Sequence, residues 1–146
     1  MISNGKFYES QFEEATIELL REAHWQYAFG DDIHRKYTDP LIEEDLRNFL
    51  TVQYKDKNLT TSEMDSIVAN LRNTGGQNDY YALRNAFLLY RDGYDFAYSD
   101  GRDNPFRLEY IDFEHPDHNI FRCVNQFVME QGRENRRPDI LLFING

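Results

Sequence analysis

Asp139 is the carboxylate of this sequence best placed to do chemistry. It follows Pro138 and the arginines Arg133, Arg136 and Arg137, and it precedes five consecutive apolar residues, Ile140–Ile144. Pro138 has no backbone donor and suits the first position of a strand. The apolar run reads as a strand buried on both faces, although periodicity alone does not separate it from a short buried helix. A carboxylate at the head of such a strand can face a cleft and bind a hard metal ion through oxygen. Asn145-Gly146 closes the run with the strongest short-range signal for a type I′ hairpin turn. A second antiparallel strand is therefore expected after Gly146.

Other polar groups compete for attention. Residues 112–119 are dense in possible ligands: Asp112, Glu114, His115, Asp117 and His118. Two histidines three residues apart match metal spacing only loosely, and no cysteine set completes a zinc site. Asp112 and Asn119 are expected instead to hold the loop through side-chain to backbone hydrogen bonds. Asn125 and Gln126 lie inside a long predicted strand over residues 120–129, where buried amides must find partners. Cys123 has no basic or histidine neighbour in sequence to lower its pKa, and is expected only to pack. No Gly-x-x-x-x-Gly-Lys-Ser/Thr loop occurs, so no nucleotide site belongs to these residues.

Arg137-Pro138-Asp139, the hydrophobic run and Asn-Gly together resemble the first half of a PD-(D/E)xK nuclease core. With Ile111-Asp112-Phe113, Asn119-Ile120-Phe121 and Asn125-Gln126-Phe127 they are similar to the amino-terminal nuclease region of the R (restriction) subunit of type I restriction enzymes. The likeness runs in order from about Phe12 to Gly146. It implies that Asp139 is a catalytic metal ligand, joined by Glu13 on the first helix. It also implies Mg²⁺ at the nuclease site, ATP at motor domains outside these residues, and double-stranded DNA as substrate. Modification and specificity subunits are the implied partners, and Arg136, Arg137 and Gln126 the implied DNA contacts. The Glu-x-Lys that completes the family's site is missing, so the chain is expected to be an N-terminal fragment, inactive alone. Two rival readings remain: another nuclease of this superfamily from repair or a mobile element, and a non-catalytic protein-interaction module of the same fold.

The elements that must position these groups follow from pattern. At 146 residues, with 40% hydrophobic and 15% aromatic content, the chain is long enough for one domain with a real core. Residues 1–92 read as mainly helical and 93–146 as mainly strands. That order predicts an α+β fold, helices packed on a mixed sheet, as a partial restriction-endonuclease-like core. Ser10-x-x-Glu13 and Thr60-x-x-Glu63 are capping boxes that open two helices. The first is expected to turn Phe12, Ala15, Leu19 and Ala23 inward, with Ile17 and Leu20 widening the stripe. Asp39-Pro40 predicts another helix over residues 40–50, and residues 79–91 one with Tyr80, Leu83, Phe87 and Tyr90 inward. Alternation on either side of Asp100-Gly101 predicts a hairpin or meander.

The net charge of −10 opposes a simple DNA-binding module, because phosphates are held by Lys and Arg. No apolar run approaches the roughly 20 residues of a membrane span, and no secretory signal opens the chain. With a single cysteine, a cytoplasmic protein is expected. The last strand would lack a neighbour, which predicts either two chains pairing through that edge or a disordered tail.

Overall fold

The computed structural model describes residues 8–75 and 78–146. In chain order they form α1 (Glu9–Glu22), β1 (Gln26–Phe29), α2 (Glu43–Gln53), α3 (Thr61–Arg72), α4 (Asp79–Asp92), β2 (Tyr94–Phe96) and β3 (Phe106–Leu108). After these come β4 (Phe121–Asn125), β5 (Met129–Gln131), β6 (Glu134–Arg136) and β7 (Ile140–Ile144). The fold is mixed α and β, with a mixed sheet. Two compact units emerge: the residues up to Pro40 with Ile120–Ile144, and Leu41–Asn119 with Asn145–Gly146.

In the first unit β4 is the central strand. β1 pairs with it in parallel and β7 antiparallel. Ile17, Cys123, Val124 and Phe127 are buried, and Trp25 meets Phe121 edge-on at 5.2 Å. α1 differs from its expected form at both its start and its face. Tyr8, not Ser10, caps it, with the Gln11 side chain accepting the Tyr8 N–H at 3.3 Å. Phe12 and Leu19 lie 60% and 66% exposed, and the inward face carries Glu13, Ile17 and Leu20. That face still follows the i, i+4, i+7 helical rule. It can include a carboxylate because amide donors wait for it on the sheet. The helix ends in a Schellman motif: His24 is left-handed (φ 69°), its N–H donates to Arg21 O, and Trp25 N–H donates to Leu20 O. His24 thus ends the helix through its backbone.

β7 departs from the expectation of burial on both faces. Leu142 is 54% exposed and Ile144 36%. Among the described residues the strand lies at the sheet's edge with β4 as its strand partner, so its apolar run does not reflect enclosure. The long strand expected over residues 120–129 is broken at Gln126, whose φ of 56° is left-handed and stops β4. The β5–β6 hairpin, turning through Gly132, joins β4 to β7.

The second unit packs Leu46, Phe49 and Leu50 of α2 and Ile67, Val68 and Leu71 of α3 into its core. α2 starts at Glu43, three residues later than Asp39-Pro40 predicts. Leu41 and Ile42 are buried ahead of it, and Ile42 N–H donates to the Gly146 carbonyl at 3.2 Å. The Thr60 capping box forms as expected, with Glu63 Oε1 accepting Thr60 N–H and Thr60 Oγ1 accepting Glu63 N–H. β2 and β3 make the predicted hairpin, and Tyr110 donates its hydroxyl to the Ile67 carbonyl at 2.7 Å. α4 does not bury its stripe: Tyr80, Leu83 and Phe87 are 68%, 73% and 60% exposed. Periodicity shows that a helix has an apolar face, not that something covers it.

Asn145 and Gly146 have φ of 59° and 79°, the signs a type I′ turn requires at its two central positions. Asn145 is also buried, donating Nδ2 to Tyr110 O at 2.8 Å and Asn119 Oδ1 at 2.9 Å. A Cβ at 146 would stand 2.3 Å from the Ile42 carbonyl oxygen. Among the described residues no helix is long and apolar enough to cross a membrane.

Candidate active site

The C-terminal end of β4 gathers the polar side chains of the first unit. Tyr27 on β1 donates its hydroxyl to Asn125 Oδ1 at 2.7 Å. That bond fixes the amide so that Asn125 Nδ2 donates to Glu13 Oε1 at 2.9 Å. Gln126 Nε2 reaches both Glu13 oxygens at 3.3 Å. Consecutive strand residues normally point to opposite faces. The left-handed turn at Gln126 breaks that alternation and lets both amides address one carboxylate.

Gly30 makes this turn possible. A Cβ at position 30 would lie 2.2 Å from the Gln126 carbonyl oxygen, closer than any side chain tolerates. Arg35 pins the following residues. Its guanidinium lies 3.4 Å from the Phe127 ring centre and donates to the carbonyls of Asp39 (2.8 Å), Lys36 (3.0 Å) and Val128. Burial pushes the Arg35 pKa down, with Asp39 and Tyr37 opposing it. Glu130 N–H donates to the Tyr37 carbonyl at 2.9 Å, tying the same two segments together.

Asp139 joins the cluster through its backbone: its carbonyl accepts the Gln126 N–H at 3.2 Å. Its side chain is exposed, and among the described residues it makes no ion pair with Arg136 or Arg137. Arg136, on the exposed β5–β6 hairpin, pairs with Glu134 at 3.7 Å, and Arg137 is exposed beside it. Glu13, Gln126 and the Asp139 backbone are therefore linked, whereas Arg136 and Arg137 are exposed and, among the described residues, make no hydrogen bond or ion pair with the cluster. Sequence pattern places Tyr27 and Gly30 in the aromatic stretch 24–30 but assigns neither them nor Arg35 to the site. Gly30 closes the aromatic segment that precedes it, which is a signal; Arg35 sits among polar residues and gives none.

A groove of about 410 Å³ opens beside Glu13, lined also by Glu14, Glu18, Arg21, Tyr27 and Asn125. Among the described residues the hydrogen-bond donors to Glu13 are neutral amides, so they orient its charge without cancelling it. A carboxylate held in this way and a second exposed carboxylate are hard oxygen donors, the kind a magnesium-class ion takes.

A family model described as "Type I restriction enzyme R protein N terminus" matches residues 6–146. The chain belongs to this family. Among curated R-subunit relatives it is similar to the type I restriction enzyme HindI endonuclease subunit of Haemophilus influenzae. The two are 26% identical over 94% of this chain and 14% of that protein. It is also similar to a Methanocaldococcus jannaschii protein assigned by inference as the type I restriction enzyme MjaIXP endonuclease subunit, 27% identical over 92% of this chain and 14% of that protein. This R-protein N-terminal chain thus spans about one seventh of the length of the relatives it matches. No solved structure gives a significant match.

Proposed function

We propose that this chain carries part of the DNA-cleaving centre of a type I restriction enzyme R subunit, with Glu13 and Asp139 as the carboxylates that hold Mg²⁺. The observation that carries this reading is the Gln126 link. Its side chain donates to Glu13 and its backbone N–H to the Asp139 carbonyl, so one residue bridges α1 and the head of β7 from opposite ends of the sequence. When bound, the ion would supply charge stabilisation and an activated water for phosphodiester hydrolysis. Asn125 and Gln126 orient the Glu13 carboxylate, and Tyr27 orients Asn125. Arg136 and Arg137 would meet the DNA backbone on the way to Asp139, and Gln126 would contact it at the site.

The sheet, with Asp139 at the head of β7, is read as the first half of a PD-(D/E)xK core. The 146 residues contain no Glu-x-Lys after Asp139, so by themselves they are expected not to cut. In the complete subunit, assembled with its modification and specificity subunits and supplied with ATP, Asp139→Asn and Glu13→Gln should each abolish double-strand cleavage while ATP hydrolysis continues. Undiminished cleavage in either variant removes that residue from the centre. Plasmid nicking by the 146-residue chain with Mg²⁺, lost in Asp139→Ala, would contradict its expected inactivity.

A further inference from the structure

Asp112, in the second unit, closes the loop that carries His115 and His118. Its Oδ1 accepts the backbone N–H groups of Glu114 (3.1 Å) and His115 (2.9 Å), which leaves Oδ2 to the side chains. Gln53 Nε2 donates to Oδ2 at 2.9 Å, His118 Nδ1 lies 3.0 Å from it, and His115 Nδ1 lies 3.7 Å from it. Three nitrogens thus converge on one oxygen with two lone-pair directions. The two imidazoles are stacked, centres 4.9 Å apart and planes 18° from parallel, so both present the same nitrogen to the carboxylate. One donor atom from each of Asp112, His115 and His118 lies within 4.8 Å of the other two.

The spacing suits a cation. Donors about 2.0–2.1 Å from a tetrahedral zinc ion stand roughly 3.4 Å from one another. The two Asp112–histidine distances bracket that value. A cation between Oδ2 and two deprotonated Nδ1 atoms would replace the His118 hydrogen bond and the looser His115 approach with coordination, while Gln53 stays on as the group that orients the carboxylate. The loop is stiff enough to hold the set. Pro116 sits between the histidines, Asn119 Oδ1 accepts Asp112 N–H at 2.9 Å, and Asn119 Nδ2 donates to the Asp112 and Pro116 carbonyls at 2.8 and 3.0 Å. Asp112 and Asn119 therefore hold the loop as the sequence predicts. The third donor lies six residues before His118, outside the His-x-x-His spacing that the sequence displays.

We propose that Asp112, His115 and His118 bind a zinc-class divalent cation, with two imidazole nitrogens and one carboxylate oxygen as ligands and water in the remaining positions. Imidazole selects zinc, nickel or copper over magnesium. The test is a calorimetric titration of the chelator-treated 146-residue chain with ZnCl₂, paired with visible absorption on adding Co²⁺ and NMR of the four histidines. One equivalent of Zn²⁺ is expected, with the His115 and His118 ring signals moving and those of His24 and His34 unmoved. His118→Ala and His115→Ala should each weaken binding by more than about tenfold and remove the Co²⁺ bands. Both side chains are half exposed or more, so circular dichroism should stay unchanged; if His118→Ala loses its fold, His115→Ala decides. No saturable binding, unchanged affinity in a folded single variant, or movement of His24 and His34 instead would overturn the proposal.

Discussion

Near their starts α1 and α3 carry the same local motif, a hydroxyl residue followed three positions later by glutamate, and the two glutamates end in opposite circumstances. Glu63 returns to its own cap and is then clamped by Arg102, whose Nη2 lies 2.5 Å from Oε1 and Nη1 3.2 Å from Oε2. Those bonds hold the Glu63 carboxyl down at about 2, against the opposing effect of burial. Glu13 makes no such cap and meets the amides of Asn125 and Gln126. A guanidinium uses up a carboxylate's charge, whereas an amide directs it. One glutamate thus holds the fold, and the other is the one that the proposed function gives to a cation.

Exchanging each glutamate for glutamine should separate the two roles. Glu13→Gln in the complete subunit is expected to lower cleavage by on the order of 10³-fold or more, the scale for losing one member of a group that acts as a unit. Its melting temperature should barely move. Glu63→Gln should do the reverse, lowering the denaturation midpoint and leaving cleavage per folded molecule unchanged. If both variants melt alike, the division of labour is wrong.

Gly30→Ala probes the same site through the backbone. The added carbon meets the Gln126 carbonyl, and forced overpacking of this kind costs about 1–3 kcal/mol, read from urea unfolding. It should also lower cleavage, because both amides move with the turn. Tyr27→Phe is milder: one partly exposed hydrogen bond is worth about 0.5–1.5 kcal/mol. The Asn125 amide would then be free to flip, and Mg²⁺ dependence of cleavage in the complete subunit should shift to higher concentration.

The smallest effect is in acid. Because the folded-state value of Glu63 is depressed, its stabilising share is complete above the ordinary carboxylate value of 4.5 and is lost as pH falls toward about 2. Wild type should therefore lose more melting temperature than Glu63→Gln over that window. Parallel curves would show that the Arg102 pair contributes nothing.

The same contrast explains what could be read from the residues alone. Thr60-x-x-Glu63 is a local device, so the start of α3 was legible without tertiary knowledge. Ser10-x-x-Glu13 looks identical, yet its glutamate is drawn away by partners more than a hundred positions later. Ile140–Ile144 and the α4 stripe were legible as apolar elements, but pattern reports character and not enclosure; both stand partly open to solvent. The break at Gln126 was invisible because a non-glycine residue there adopts a left-handed backbone. Asn125 and Gln126 were correctly read as needing partners; which partners was a question only the sheet could answer.

The parallel pairing of β1 with β4 has a kinetic corollary. Glu13 and Gln126 are 113 positions apart, and their union depends on closing that whole span before any reward is collected. A ribosome-bound chain that has not yet delivered β4 therefore lacks the amide partners of Glu13. Assembly of the carboxylate cluster is expected late in folding, and pulsed hydrogen exchange should register protection of the Gln126 amide later than protection within α3.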